Sequence, residues 1–67
     1  MLVLCYRSRV PFNSSQADRL YHYVDRIGGW AQLGFDYMDL YCPEGFESFL
    51  LLIDSNCLRY PRNDYIV

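Results

Sequence analysis

The clearest pattern of apolar and polar positions along the chain lies in residues 13–27. Five apolar or aromatic residues recur there at spacings of three and four: Ala17, Leu20, Tyr21, Val24 and Ile27. This spacing places them on one face of an α-helix and would scatter them over both faces of a strand. The opposite face carries a polar or amphipathic stripe with the same spacing: Arg19, His22, Tyr23 and Arg26. The pattern predicts an amphipathic helix with one face toward a core and the other toward solvent or a partner.

Both ends of this helix carry boundary signals. Asn13, Ser14 and Ser15 offer side-chain oxygens that can accept hydrogen bonds from the first-turn amides. At the other end, Gly28 and Gly29 can adopt the left-handed conformation with which many helices stop. We therefore expect the helix to span residues 13–27.

The other apolar segments are short and rich in residues that favour strands. Residues 1–9 predict a first strand that ends before Pro11, because proline cannot donate to a strand ladder. Residues 34–41 (GFDYMDLY) predict a second strand, and residues 57–60 predict a short edge strand. The apolar end, residues 65–67, is expected to dock on the resulting sheet.

Residues 47–54 (ESFLLLID) have two interpretations. They are apolar on both alternating faces, as a central strand would be, and the preceding Cys42–Phe46 segment has the Pro and Gly of a hairpin turn. Phe46, Phe49, Leu50 and Ile53 also satisfy helical spacing, and Leu and Glu are good helix formers. The turn signal favours the strand, with the helix as the open alternative.

These elements predict an α+β protein with a single domain over residues 1–67. Its order is β-α-β-β with an optional short fourth strand, and one helix packs on an antiparallel-rich sheet. One helix covers only one face of such a sheet, yet the predicted strands are apolar on both faces. An uncovered apolar face of this kind normally marks an interface. We therefore expect a homodimer or a tight complex with a partner.

The composition indicates a folded chain. Hydrophobic residues make up 52% of the 67 residues and aromatic residues 18%, more than a disordered chain carries. The longest apolar run is far shorter than a membrane span, and the N-terminus lacks the pattern of a secretory signal peptide. Three cysteines cannot all pair within one chain. We therefore expect a cytoplasmic protein with free thiols and no membrane partner.

The charged residues weigh on the choice of partner. The formal net charge of -2 argues against binding to nucleic acid through bulk positive charge. All six cations are arginines, and the chain contains no lysine. The planar guanidinium suits carboxylate pairing and aromatic stacking better than an ammonium group does. This preference is consistent with a recognition surface.

Metal or catalytic sites have little support in the spacing of the residues. His22, Cys5, Cys42 and Cys57 are a ligand set that zinc accepts, but the close Cys pairs of structural zinc sites are missing. A Cys-His nucleophile pair oriented by Asp18 would need a geometry that the sequence does not fix. We expect no metal, no cofactor and no enzymatic activity.

The stripe formed by Arg19, His22, Tyr23 and Arg26 is the best candidate for a recognition surface. Arginine and tyrosine dominate the hot spots of protein interfaces. The simpler interpretation is a solvated helix face whose arginines pair with Asp18 and Asp25.

The expected function is therefore that of a small interaction protein. We expect it to bind a cellular macromolecule, most readily a protein, and to inhibit or regulate it, a character that we associate with inhibitors encoded by phages or mobile elements. The alternative is a small nucleic-acid-binding module whose tyrosines stack on bases and whose arginines contact phosphates. The arginines assigned to that role are Arg7, Arg9, Arg19 and Arg26.

Overall fold

The computed structural model describes all 67 residues and has the α+β class that the sequence predicts. Two α-helices pack against an antiparallel sheet of five strands. The elements are β1 (Leu2–Ser8), α1 (Ser15–Arg26), β2 (Trp30–Leu33), β3 (Met38–Pro43), α2 (Glu47–Ile53), β4 (Leu58–Arg59), a 3-10 turn (Pro61–Asn63) and β5 (Tyr65–Ile66). The short strand near residues 57–60 and the docked C-terminal end are thus confirmed.

Strand β1 lies at the centre of the sheet. It pairs with β3 on one side, from Val3 opposite Pro43 to Ser8 opposite Met38. On the other side, β4 pairs near Tyr6 and β5 pairs near Leu2. Strand β2 pairs only with β3 and forms the far edge of the sheet. Both central strands are paired on two sides, and β1 and β3 are also almost entirely buried.

The predicted amphipathic helix is confirmed, and its boundary signals act as expected. The Ser14 hydroxyl accepts a hydrogen bond from the amide of Ala17 at 3.1 Å, which caps the first turn. At the other end, Gly28 has a φ of +83°. The Gly28 amide donates to the Asp25 carbonyl, and the Gly29 amide donates to the Val24 carbonyl. This pair of bonds is a Schellman motif, which ends the helix and redirects the chain into β2.

The main core lies between the helices and one face of the sheet. Ala17, Leu20 and Val24 of α1 are buried there, as the apolar spacing predicts. The sheet contributes alternate residues of its two central strands, and α2 contributes one fully buried side chain: Leu4 and Tyr6, Met38, Leu40 and Cys42, and Leu50. Alternate strand residues meet a helix because side chains in a strand alternate between faces.

The prediction of a strand at residues 47–54 is wrong, because this segment forms helix α2. The Pro43–Phe46 turn exists, with the Phe46 amide donating to the Pro43 carbonyl, but it leads the chain over the sheet rather than back beside β3. No position beside β3 is free, since β1 and β2 already pair with its two sides. The helical spacing that was left as an alternative was the correct signal, and the fold contains two helices rather than one.

The predicted second strand, residues 34–41, is also displaced. Strand β3 begins at Met38, and residues 30–33, for which the sequence predicts no element, form an additional strand, β2. Gly34 belongs to the connection, where the Tyr37 ring lies so close that a Cβ atom at Gly34 would collide with it. The missing side chain of glycine therefore allows Tyr37 to fold over the tight end of the hairpin.

The second face of the sheet is covered, contrary to the expectation of a bare apolar face. Val3, Cys5 and Tyr41 are buried on this side, with Tyr60 packed against them. Trp30 stacks on Tyr41 with ring centroids 4.9 Å apart. The ring of Tyr65 meets both of these rings edge-on. The C-terminal segment, residues 60–67, thus helps to cover the face that α1 and α2 leave open.

Polar contacts hold the C-terminal segment on the sheet. Arg7 makes two hydrogen bonds to Asp39, at 2.8 and 3.1 Å. The Arg7 guanidinium lies between the rings of Tyr37 and Tyr60, 3.8 and 4.0 Å from their centroids, and so links β1 to the chain that follows β4. Asp64 accepts hydrogen bonds from Arg59 and from the Cys5 amide. The hydrogen bond from Arg59 is the main reason that the pKa of Asp64 lies below its usual value.

The close approach of the end of α1 to β3 predicts different costs for alanine at two adjacent glycines. A Cβ atom at Gly29 would overlap the main-chain oxygen of Tyr41, and a Cβ atom at Gly28 would meet open space. We expect Gly29→Ala to lower the free energy of unfolding by about 3 kcal/mol, since β3 must shift. Gly28→Ala should cost only about 1 kcal/mol, the strain of a positive φ. Urea unfolding followed by Trp30 fluorescence measures both, and equal losses would contradict this account.

Candidate functional site

Helices α1 and α2 lie side by side on the same face of the sheet. The Gln16 side-chain amide at the start of α1 donates to the Ile53 carbonyl at the end of α2, at 2.8 Å. The Tyr23 hydroxyl near the end of α1 donates to the Phe46 carbonyl at the start of α2, at 2.7 Å. The two helices are therefore antiparallel, with one side-chain hydrogen bond near each end of α2.

Tyr23 also packs on α2 through its ring. The ring centroids of Tyr23 and Phe49 are 4.7 Å apart, with the planes tilted by 33°. This separation lies in the range that aromatic pairs prefer. Burial raises the pKa of Tyr23 above its ordinary value, so its hydroxyl stays protonated and remains a donor at neutral pH. Tyr23 is therefore both a member of the predicted stripe and the main bridge between the helices.

A groove of about 620 Å³ runs along the junction of the two helices. We call it the α1–α2 groove. It is lined by Arg19, His22, Tyr23, Arg26, Ile27, Phe49, Leu52 and Ile53. The wall from α1 is mainly polar or cationic, and the wall from α2 is apolar. All four stripe residues predicted from the sequence line this groove together.

The apolar wall is exposed to an unusual degree for so short a helix. Of the seven residues of α2, only Leu50 is fully buried. Leu52 is 79% exposed and Phe49 is 48% exposed, and Phe46 just before the helix is exposed as well. Scattered apolar residues are ordinary on a protein surface, whereas an apolar strip beside a groove is a candidate interaction surface.

The cationic wall has no internal charge partner. The three ion pairs of the structure join Arg7 to Asp39, Arg9 to Asp36 and Arg59 to Asp64. Arg19 and Arg26 take part in none of them, so the local pairing with Asp18 and Asp25 that the simpler interpretation requires is not formed. Two guanidinium groups are therefore unpaired beside the apolar strip and can donate hydrogen bonds to a carboxylate of another molecule.

The apolar half of the groove was missed from the sequence. Its residues lie in α2, which the turn signal assigned to a strand. The spacing of Phe46, Phe49, Leu50 and Ile53 held the information, but nothing local indicated that this helix would lie against the stripe on α1. That placement depends on the chain reversal after β3.

The structure does not bring together the residues of the other candidate sites. Cys42 and Cys57 lie in the core beneath the helices, and Cys5 lies on the opposite face of the sheet. No group of three or more His, Cys, Asp or Glu side chains is placed to hold a metal ion. Burial is the main cause that raises the pKa of all three thiols to about 11. They are therefore protonated and weakly nucleophilic at neutral pH.

The four arginines assigned to phosphate binding lie in different environments. Arg7 and Arg9 line a second cavity of about 470 Å³, and each is paired with its own aspartate. Arg7 is further enclosed by two tyrosine rings. Arg19 and Arg26 line the α1–α2 groove instead. The chain thus presents no single surface on which these arginines are all unpaired.

Comparisons with known proteins find no match, so functional inference rests on the geometry. The sequence matches no protein-family model and no curated protein, and no solved structure matches the fold. Neither helix is long and apolar enough to cross a membrane. The fold and the groove together define a small α+β domain with a two-helix surface whose walls are cationic and apolar.

The buried thiols predict a loss of stability at alkaline pH. Their pKa is about 11 in the folded chain against an ordinary 9.0, so unfolded thiols ionise first as the pH rises. The free energy of unfolding should be unaffected below pH ~8 and should fall as the pH rises through the range between the two pKa values. At pH ~9.5 the loss summed over the three thiols should be roughly 2 kcal/mol. Urea unfolding under reducing conditions from neutral pH upward measures the loss. A Cys57→Ala variant should show a shallower fall, and an identical profile would contradict the assignment.

The bridge made by Tyr23 gives a second prediction. Tyr23→Phe removes the hydrogen bond to the Phe46 carbonyl and keeps the ring packed on Phe49, so it should cost about 1 kcal/mol of unfolding free energy. Amide exchange should accelerate more in α2 than in β1, since α2 loses one of its two side-chain hydrogen bonds to α1. Tyr21→Phe on the same helix is the matched control, because the Tyr21 hydroxyl makes no hydrogen bond within the protein. Equal effects of the two substitutions would rule out the tether.

Proposed function

We propose that the protein is a non-enzymatic interaction protein that binds a partner protein in the α1–α2 groove and thereby inhibits or regulates it. The observation that supports this proposal is the meeting of an exposed apolar strip on α2 with unpaired arginines on α1. Each feature alone is common on protein surfaces. Together they form a binding surface with an apolar anchor region and a charged rim, which is the usual anatomy of a protein interface.

The chemistry of the groove defines the partner that fits it. Phe49 and Leu52 would bury apolar side chains of the partner, and Arg19 and Arg26 would pair with carboxylates beside those side chains. A groove between two helices suits an amphipathic helix that lays its apolar face inward. We therefore propose an acidic amphipathic helix on the surface of the partner as the binding target.

The groove residues are of the types that carry binding energy. Tyrosine and arginine are enriched in hot spots, and Tyr23 is already fixed by its hydrogen bond and by ring packing. A side chain held in place before binding loses little conformational entropy when the partner arrives. His22 and the two arginines stand at the rim, where charges influence the association rate and specificity more than the affinity.

Binding in this mode would inhibit by occupancy. A cytoplasmic protein that covers an acidic helix of its partner blocks whatever else uses that helix, without any chemical step of its own. The small size and free thiols of the chain are consistent with that setting. An inhibitor encoded by a phage or mobile element is the biological context that we propose for it.

Substitutions in the groove test the proposal. Leu52→Asp puts a charge in the apolar strip, and the double substitution Arg19→Glu with Arg26→Glu reverses the cationic wall. Arg62→Glu is the matched control, because Arg62 is likewise an arginine outside the ion pairs but lies in the 3-10 turn, away from the groove. The tagged chain would be used to capture partners from cells, and captured proteins would be measured by titration against each variant.

The expected result is a partner whose affinity falls by about tenfold or more with either groove variant, a loss of at least about 1.4 kcal/mol. The Arg62→Glu control should bind as the wild type does. All variants should keep the thermal midpoint of the wild type within a few degrees, since the substituted side chains are exposed. A partner that binds all four proteins equally would refute the groove as the binding surface.

The same experiment separates the nucleic-acid alternative. Binding to oligonucleotides with an affinity that falls steeply with salt, and that is lost in an Arg9→Glu variant but not in Leu52→Asp, would replace the proposed function with nucleic-acid recognition. Binding to a protein with weak salt dependence and strong dependence on Leu52 supports the groove.

A further inference from the structure

Strand β2 is an open edge of the sheet. It pairs with β3 on one side, and no other strand pairs with it. Three of its four residues are exposed: Trp30, Gln32 and Leu33. An exposed edge presents backbone donors and acceptors that can pair with a further strand.

The register shows which backbone groups are free. The Gly34 amide donates to the Tyr37 carbonyl, so these two residues form a hydrogen-bonded pair next to the strand. In an antiparallel ladder, hydrogen-bonded and non-hydrogen-bonded pairs alternate. Gln32 opposite Asp39 is therefore bonded to β3, whereas Ala31 and Leu33 point their amides and carbonyls away from the sheet.

This edge lacks the usual protection against pairing. Natural edge strands carry prolines, bulges or charged side chains that prevent association. The sequence of β2 is Trp-Ala-Gln-Leu, with neither proline nor charge. The opposite edge differs, since β4 and β5 have two residues each and are interrupted by Pro61 and the 3-10 turn. Of the two edges of the sheet, β2 is the one with the longer strand and with neither proline nor charge.

We propose that β2 pairs with β2 of a second copy of this chain, and so forms a homodimer with one continuous sheet. Ala31 and Leu33 flank Gln32, so a two-fold axis at Gln32 places Ala31 of each copy opposite Leu33 of the other. Each such pair exchanges two backbone hydrogen bonds, and all the outward-facing groups of the strand are satisfied. The edge is thus complementary to itself, and the occupant that fits it is a second copy.

The strand itself brings no charge to this pairing. Its sequence, Trp-Ala-Gln-Leu, has no ionisable side chain. The nearest charged residue after it, Asp36, is already paired with Arg9 of the same chain. Two copies of β2 can therefore pair without placing like charges opposite each other in the ladder.

The exposed apolar area beside this edge is small. Phe35, in the turn after β2, is 98% exposed, Leu33 is 52% exposed and Trp30 is 38% exposed. Together these side chains offer on the order of 400 Å², about half of what each partner in a stable complex contributes. We therefore expect a weak dimer that dissociates on dilution. The interface does not use α2, so this proposal stands or falls separately from the proposed function.

Amide exchange provides a residue-level test on the unmodified chain. Exchange would be followed by NMR at protein concentrations from about 5 to 500 µM. The amides of Ala31 and Leu33 should become protected by at least tenfold as the concentration rises, whereas the amide of Gln32 should be protected throughout. Light scattering on the same samples should show the mass rising toward twice that of one chain. A monomer at every concentration, or a dimer in which Ala31 and Leu33 still exchange freely, would overturn the proposal.

Substitution at Leu33 completes the test. Leu33→Pro removes an outward-facing amide and leaves the ladder to β3 intact, so it should weaken the dimer at least tenfold while the chain stays folded. Leu33→Lys serves as a second variant that keeps the amide but places a charge at the edge, and it should weaken the dimer in the same direction. Leu58→Lys is the matched control, because Leu58 is also an exposed leucine but lies in β4 at the opposite edge of the sheet, and it should dimerise as the wild type does. Dimers of unchanged strength in both Leu33 variants would overturn the proposal.

Discussion

The structure depends on the burial of β1 from both sides. The strand is apolar on both faces and lies at the centre of the sheet, so each face must be covered before its side chains leave water. The helices cover one face. The other face is covered by the aromatic rings of Trp30 and Tyr65 and by the stack of Tyr37, Arg7 and Tyr60. A chain of 67 residues achieves this only with thin layers.

The thin helical layer explains the candidate surface. Helix α2 is short and touches the core through Leu50, with Ile53 half-buried. Of its other apolar side chains, Phe49 packs on the Tyr23 ring but stays half-exposed, and Leu52 is largely exposed. They lie beside the outer face of α1, whose polar stripe follows from its helical period. The α1–α2 groove is thus a by-product of how the core is closed, and it places exposed apolar side chains beside unpaired arginines. Its charge is equally unused, because the aspartates that pair with arginines all serve the sheet side.

The distribution of arginines separates structure from recognition. Arg7 and Arg59 bind carboxylates and stack on tyrosine rings, and they hold the C-terminal segment on the sheet. Lysine would serve poorly there, since it lacks both the fork and the flat face. Arg19 and Arg26 make no such contacts. The absence of lysine that is visible in the composition therefore has a structural explanation for part of the set and a proposed binding role for the rest.

Helix α1, its caps and its two faces could be predicted from the sequence, because periodicity, the Ser14 cap and the glycine pair act within a few residues of one another. The four stripe residues of the candidate site followed from the same period. The α+β class and the short strand near Leu58 were predictable for the same local reasons. Helix α2 was not, because a short apolar run fits both periods and the choice was made by β1 and β2, which occupy both sides of β3. The cover on the second face and the apolar wall of the groove likewise come from residues distant in sequence, and only the tertiary structure brings them together.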